Sequence, residues 1–206
     1  EKGGVLVKRR LLITGVAVLV LALAAYGTMA YLTGQAVAHN VITAGNVNID
    51  LLDKTRTEDG AVIDFPQETG LRVMPGAKAS KEVSVMNTGD NPCWVRIKLD
   101  KSVKPAESNS EALLNVEDNV ILNFDQQENW STNWQAQDGY YYYLKPLAPG
   151  ESTPLLFSQV EFNAAMGNDY QGATFYIDVA AQAIQQANNG STVLDAYWAA
   201  LTPVTP

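Results

Sequence analysis

The chain has 206 residues, 47% hydrophobic and 17% charged, with a formal net charge of −8 and one cysteine. That acidity argues against nucleic acid or anionic lipid as a partner, since both are held by neutralising phosphates with Lys and Arg. A lone cysteine excludes an internal disulfide, so a core must hold the fold together, and the length suffices for one domain with a sizeable core.

The first element in chain order is apolar. Lys8, Arg9 and Arg10 precede a hydrophobic run from residue 11 to about residue 25, and Thr28-Met29-Ala30 then sets small residues where a signal peptidase reads. Basic, apolar and small in that order is the pattern of a secretory signal peptide, with cleavage predicted between Ala30 and Tyr31. A retained anchor is the alternative, because apolar character continues to Leu32, towards the roughly 20 residues that span a bilayer. No basic cluster follows as a stop-transfer signal would. Residues 1–30 carry four basic side chains and one acidic, so their removal takes the formal charge from −8 to −11.

Residues 31–48 read as one extended segment. Leu32, Gly34, Ala36, Ala38, Ile42 and Ala44 share a small, mostly apolar face with Asn40, and the opposite face, from Tyr31 to Thr43, is more polar. From residue 49 the chain punctuates as an all-β protein. Val47, Ile49 and Leu51 alternate with Asn46, Asn48 and Asp50, and Val83 and Val85 with Glu82 and Ser84. Cys93, Val95, Ile97 and Leu99 oppose Trp94, Arg96 and Lys98, while Phe175, Ile177, Val179 and Ala181 oppose Thr174, Tyr176 and Asp178. A period of two with β-branched and aromatic residues predicts half-buried strands. Asp59-Gly60, Pro75-Gly76, residues 88–92, Asp138-Gly139, Pro149-Gly150 and Asn189-Gly190 supply the turns. The middle predicts a short helix over 111–116 and a strand over 120–124. The architecture this predicts for 49–206 is an all-β, jelly-roll β-sandwich.

Four consecutive tyrosines put Tyr140 and Tyr142 on one strand face and Tyr141 and Tyr143 on the other. They read either as a binding platform for sugar or peptide, presented by Tyr141 and Tyr143, or as rings buried in the sandwich with hydroxyls at its edge. Leu194, Tyr197, Trp198 and Leu201 fall at helical spacing, which predicts a short helix over 192–201. That helix would cap an open end of the sandwich, or dock a neighbour through an exposed Trp198.

Catalytic signatures are sparse. A zinc site usually takes three protein ligands, and the sequence has one histidine, His39, and no H-E-x-x-H. No G-x-S-x-G is present for a serine nucleophile, and Cys93 falls on an apolar strand face where a buried thiol is expected. The expectation is a protein that is not an enzyme and needs no cofactor. Asp50, Asp53, Glu117 and Asp118 could offer oxygens to calcium, but none sits in a D-x-D-x-D-G loop. Asn129 and Asn189 lie in N-x-S glycosylation patterns, a short motif of low specificity.

Four blocks carry a family resemblance: GTMAYLT followed by NVITAGNVNIDL; VMPGAKASKEVSVMNTGDNPCWVRIKL; DGYYYYLKPLAPGESTPLLF; and GNDYQGATFYIDVAAQAIQ. In that order they resemble the TasA/camelysin family of exported bacterial proteins, whose precursors a SipW-type signal peptidase processes. The resemblance implies a secreted jelly roll in the matrix or cell wall of a Gram-positive bacterium, assembling with itself head to tail into biofilm fibres. It implies that the segment freed at Tyr31 acts as a donor strand, with Leu32, Gly34, Ala36, Ala38, Ile42 and Ala44 entering a neighbouring subunit. Two other readings stand beside it. The same strand could fold back onto its own sandwich edge, leaving a monomeric surface module that binds glycan or protein. Some relatives have been described as metalloproteases, a reading the missing ligands oppose.

Overall fold

Alternating sequence becomes a two-layer protein because each strand has one apolar face that only another sheet can cover. The computed structural model describes residues 40–44, 46–66, 75–106 and 114–201. Among them, ten strands form two five-stranded sheets. In chain order these are β1 (Asn40–Ala44), β2 (Ile49–Arg56), β3 (Val62–Asp64), β4 (Lys78–Asn87), β5 (Cys93–Lys104), β6 (Val120–Leu122), β7 (Trp134–Gln137), β8 (Tyr140–Leu147), β9 (Phe157–Phe162) and β10 (Thr174–Gln185). One sheet has the order β1-β10-β5-β8-β7 and the other β3-β2-β4-β9-β6. Every pairing is antiparallel except that of β1 with β10.

The predicted inward faces form the core. Val83, Val85, Cys93, Val95, Ile97, Phe157, Val160, Phe162 and Phe175 are all fully buried. Each such side chain contributes about 1.5–3 kcal/mol by leaving water, so the absence of a disulfide is no obstacle. The same alternation carries a charge pair inward. Asp53 follows Ile49 and Leu51 on β2, and Lys81 precedes Val83 and Val85 on β4. Lys81 Nζ donates to both Asp53 oxygens, at 2.8 and 2.7 Å, with side-chain exposures of 2% and 4%. The Phe65 ring lies 3.8 Å from the ammonium. Asp53, read from sequence as an oxygen ligand for calcium, is thus committed to a lysine.

Three expectations are corrected. The strand expected over 120–124 ends at Leu122 and passes into a 3-10 turn at Phe124–Gln126. Asn123 explains the break: its Oδ1 accepts from the Ser158 and Gln159 backbone N–H groups at 2.9 and 2.8 Å, so a side chain takes over donors of β9. The helix expected over 111–116 lies partly outside the described residues, and Leu114, Asn115 and Val116 are not helical.

The helix expected over 192–201 reduces to one 3-10 turn, Trp198–Ala200. Gly190, at φ +80°, turns the chain back, and Trp198 Nε1 donates to Val193 O at 2.8 Å. The tail lies over one sheet's outer face rather than at an end of the sandwich. It packs Val193, Ala196, Trp198 and Leu201 on Trp94, Tyr142 and Ile184, giving a second, smaller core. Both faces of β5 around Trp94 are therefore buried, where the alternation predicts a half-buried strand.

Candidate functional site

The flank formed by β1, β10 and β2 holds the described part of the segment read from sequence as an assembly strand. β1 runs parallel to β10, from Asn40 opposite Ala180 to Ala44 opposite Ile184. Val41 packs against the main core. The chain then crosses to the other sheet through a pinned connection. Asn91 Nδ2 donates to Asn46 O at 3.0 Å, and the Thr88 and Gly89 N–H groups both donate to Asn48 O at 3.0 Å. Position 89 must be glycine, since a Cβ there would lie 2.6 Å from the Asn48 nitrogen.

Beyond β1 the flank is open among the described residues. β10 is paired with β5 along its whole length, but residues 174–179 have no strand on their other side. β2 pairs with β3 at Lys54, Thr55 and Arg56, and Phe65 N–H donates to Asp53 O at 2.9 Å, so among the described residues the ladder at 49–52 runs to β4 alone. Of the assembly residues predicted from sequence, Ile42 and Ala44 fall in β1. Leu32, Gly34, Ala36, Ala38, the junction at Ala30 and Tyr31, and His39 lie outside the described residues. In the single chain, β1 occupies the edge of its own sandwich.

At Tyr142 and Tyr143 the tyrosine strand follows the reading of rings buried in the sandwich rather than that of a binding platform. Tyr143 is 8% exposed and packs on Trp134, with ring centroids 5.4 Å apart. Trp198 is 7% exposed beneath the folded tail, so neither ring is available to a ligand or neighbour. The physical reason is that both sheet faces at β8 are covered, one by the opposing sheet and one by the tail. Sequence reasoning missed Arg96, which holds the tail down. Its Nε donates to Gln182 Oε1 at 2.6 Å and its Nη1 to Tyr142 Oη at 3.2 Å. The guanidinium also lies 3.9 Å from the Tyr140 ring and 4.4 Å from the Trp198 ring. The signal was present, since an arginine in an alternating strand beside Trp94 and opposite a run of tyrosines favours stacking.

Of Tyr141, Tyr143 and Trp198, Tyr141 lines a cleft, a cavity of about 250 Å³ where β5 runs past the start of β8 and which Tyr140 also borders. Its ring stacks on Phe124 at 4.9 Å and 27°, with Trp130 edge-on at 6.4 Å. Burial, with Glu117 adding a smaller push, raises the Tyr141 hydroxyl above its usual range.

Reactive groups are few in this part of the chain. Burial pushes the Cys93 thiol up to about 12, so no thiolate nucleophile forms there near neutral pH. Among the described residues no three His, Cys, Asp or Glu side chains converge on a point that could hold a metal ion. Asp50 is exposed, Glu117 pairs with Lys101 at 2.7 Å, and Asp118 accepts from Asn115 Nδ2 at 2.7 Å. No helix among the described residues is long and apolar enough to cross a membrane. No protein-family model matches the chain, and no curated protein does.

Proposed function

We propose that this chain is the exported structural subunit of an extracellular fibre, assembled by β-strand addition through residues 31–48. The observation that carries the reading is the flank itself: a five-residue parallel edge strand, β1, on a β10 whose ladder continues well beyond it. A short edge strand held on one side is exchangeable, because a neighbour's β1 would make the same contacts and the net change in bonding is small. Cleavage after Ala30 by a SipW-type signal peptidase would leave residues 31–39 free to extend the strand along the open part of β10. In this register Val41, from the other face, is the β1 residue packed between the sheets, so Leu32, Gly34, Ala36 and Ala38 would follow Ile42 along the outer side of the extended strand. Head-to-tail donation does not close on itself, so a filament follows.

In this reading the sandwich has jelly-roll topology and works in the matrix or cell wall of a bacterium. Catalysis has no part in it. The runner-up, a monomeric surface module, draws its support from β1 lying on the edge of its own sandwich and from the cleft at Tyr141.

Comparing a protein beginning at Tyr31 with one beginning at Ile49, by light scattering on a size-exclusion column and then negative-stain microscopy, tests the proposal. Filaments or high-mass species are expected only from the longer protein. Two equally folded monomers would overturn it.

A further inference from the structure

Where β8 ends, β5 does not. The β5–β8 ladder stops at Lys98 opposite Tyr140, whereas the β5–β10 ladder runs on to Lys104. Leu99, Asp100 and Lys101 therefore form one wall of the Tyr141 cleft, paired with β10 on one side and with no strand on their β8 side among the described residues. A bare length of strand backbone recognises another extended backbone, by adding its hydrogen bonds to the ladder.

The side chains around this wall set what the added segment carries. Leu99, Leu122 and Phe124 supply an apolar floor. The face of Tyr141 is taken up by Phe124, so it is no platform for stacking a sugar ring. Lys101 is committed to Glu117, at 2.7 Å, and to the Val120 carbonyl at 3.2 Å. The ion pairs of the described residues do not take up Asp100. Asp100 also stands directly opposite Asp178 in the register with β10, a like-charge pairing that disfavours the sheet. Burial first, and then Asp100, hold the Asp178 carboxyl above its usual range, with Lys81 pulling the other way. An acidic rim over an apolar floor fits the alkyl stem and charged tip of a basic side chain.

We infer that the cleft between the free length of β5 and the β7–β8 turn is a docking site for a short extended peptide segment carrying a lysine or arginine side chain. The segment pairs with the backbone of Leu99–Lys101, and its basic tip lies against Asp100. This site is separate from the β1 flank and does not rest on the fibre reading.

The test is a titration of the isotope-labelled protein, followed by amide chemical shifts, with the capped peptide acetyl-Val-Lys-Val-methylamide. Its norleucine counterpart and free glucosamine serve as the other two arms. Saturable shifts are expected at Leu99, Asp100, Lys101 and Gly139 with the lysine peptide, and binding about fivefold weaker with the norleucine peptide. Asp100→Asn, which leaves the floor intact, should weaken the lysine peptide by a similar factor without altering the rest of the spectrum. The inference is overturned by shifts that do not saturate, by equal binding of the norleucine peptide, or by glucosamine perturbing the same amides more strongly than the lysine peptide.

Discussion

Replacing Lys81 by alanine is expected to cost about 3–5 kcal/mol of stability, read as a fall in the urea midpoint with little change in slope. The size follows from what the substitution leaves behind. Both partners are almost completely buried, and the lysine satisfies both oxygens of Asp53. Without it a carboxylate stays in the core without its ammonium, which costs far more than losing one surface contact. Burial pulls the Lys81 ammonium below its ordinary value of 10.5, against the attraction of Asp53 and Asp178. Desolvation therefore outweighs the Coulombic gain at this lysine. It follows that Lys81→Met combined with Asp53→Leu should fold as well as the parent or better, because it removes both charges and keeps the volume. If Lys81→Ala alone lost less than about 1 kcal/mol, the pair would not be the buried unit described here.

Trp198→Ala is expected to cost about 3 kcal/mol and to release the tail from the sheet. Trp198 fills the centre of the smaller core, makes an edge-on contact with Tyr142 at 6.1 Å and covers one face of the Arg96 guanidinium. Its loss opens a cavity over Trp94 and leaves the arginine with a ring on one side only. Gly190→Ala reaches the same end from the backbone. Position 190 has a φ of +80°, and a Cβ there would sit 2.8 Å from the Asp195 carbonyl atoms. In both variants limited proteolysis should cut the tail first while the sandwich persists, giving a two-step unfolding curve. Cooperative loss of tail and sandwich together would show that the tail is part of the main core instead.

The sandwich is legible because strand faces are written in the chain at a period of two, a pattern β5 carries from Cys93 to Leu99 and β10 from Thr174 to Val179. Core positions read from Cys93, Val95, Ile97 and Phe175 match buried residues. The same rule already put Asp53 in line with Ile49 and Leu51, and Lys81 in line with Val83 and Val85. Their charge hid the fact, since a charged residue is normally read as solvated unless its partner is known. Other features depend on contacts distant in sequence. Asn123 ends a strand only because β9 presents two N–H groups to its side chain. The tail is not helical because it follows the shape of the outer face made by Trp94, Tyr142 and Ile184, which no local spacing encodes. Tyr141, Tyr143 and Trp198 were grouped by chemistry. Trp198 packs with Tyr142 on the outer face, whereas Tyr141 and Tyr143 share the inner face, where Trp134 packs on Tyr143 and Tyr141 lies at the cleft.

Strand exchange between copies is tested most directly by placing one cysteine on each side of the β1–β10 pairing, in different chains. Thr43 stands opposite Ala183, within reach of a disulfide, and the buried Cys93 does not compete for it. Protein carrying Thr43→Cys is mixed with protein carrying Ala183→Cys under mild oxidation and resolved by mass on a non-reducing gel. A covalent heterodimer, formed faster than either homodimer, is the result predicted for a strand donated between subunits. Persisting monomers in the mixture, with the doubly substituted chain closing only on itself, would contradict the account.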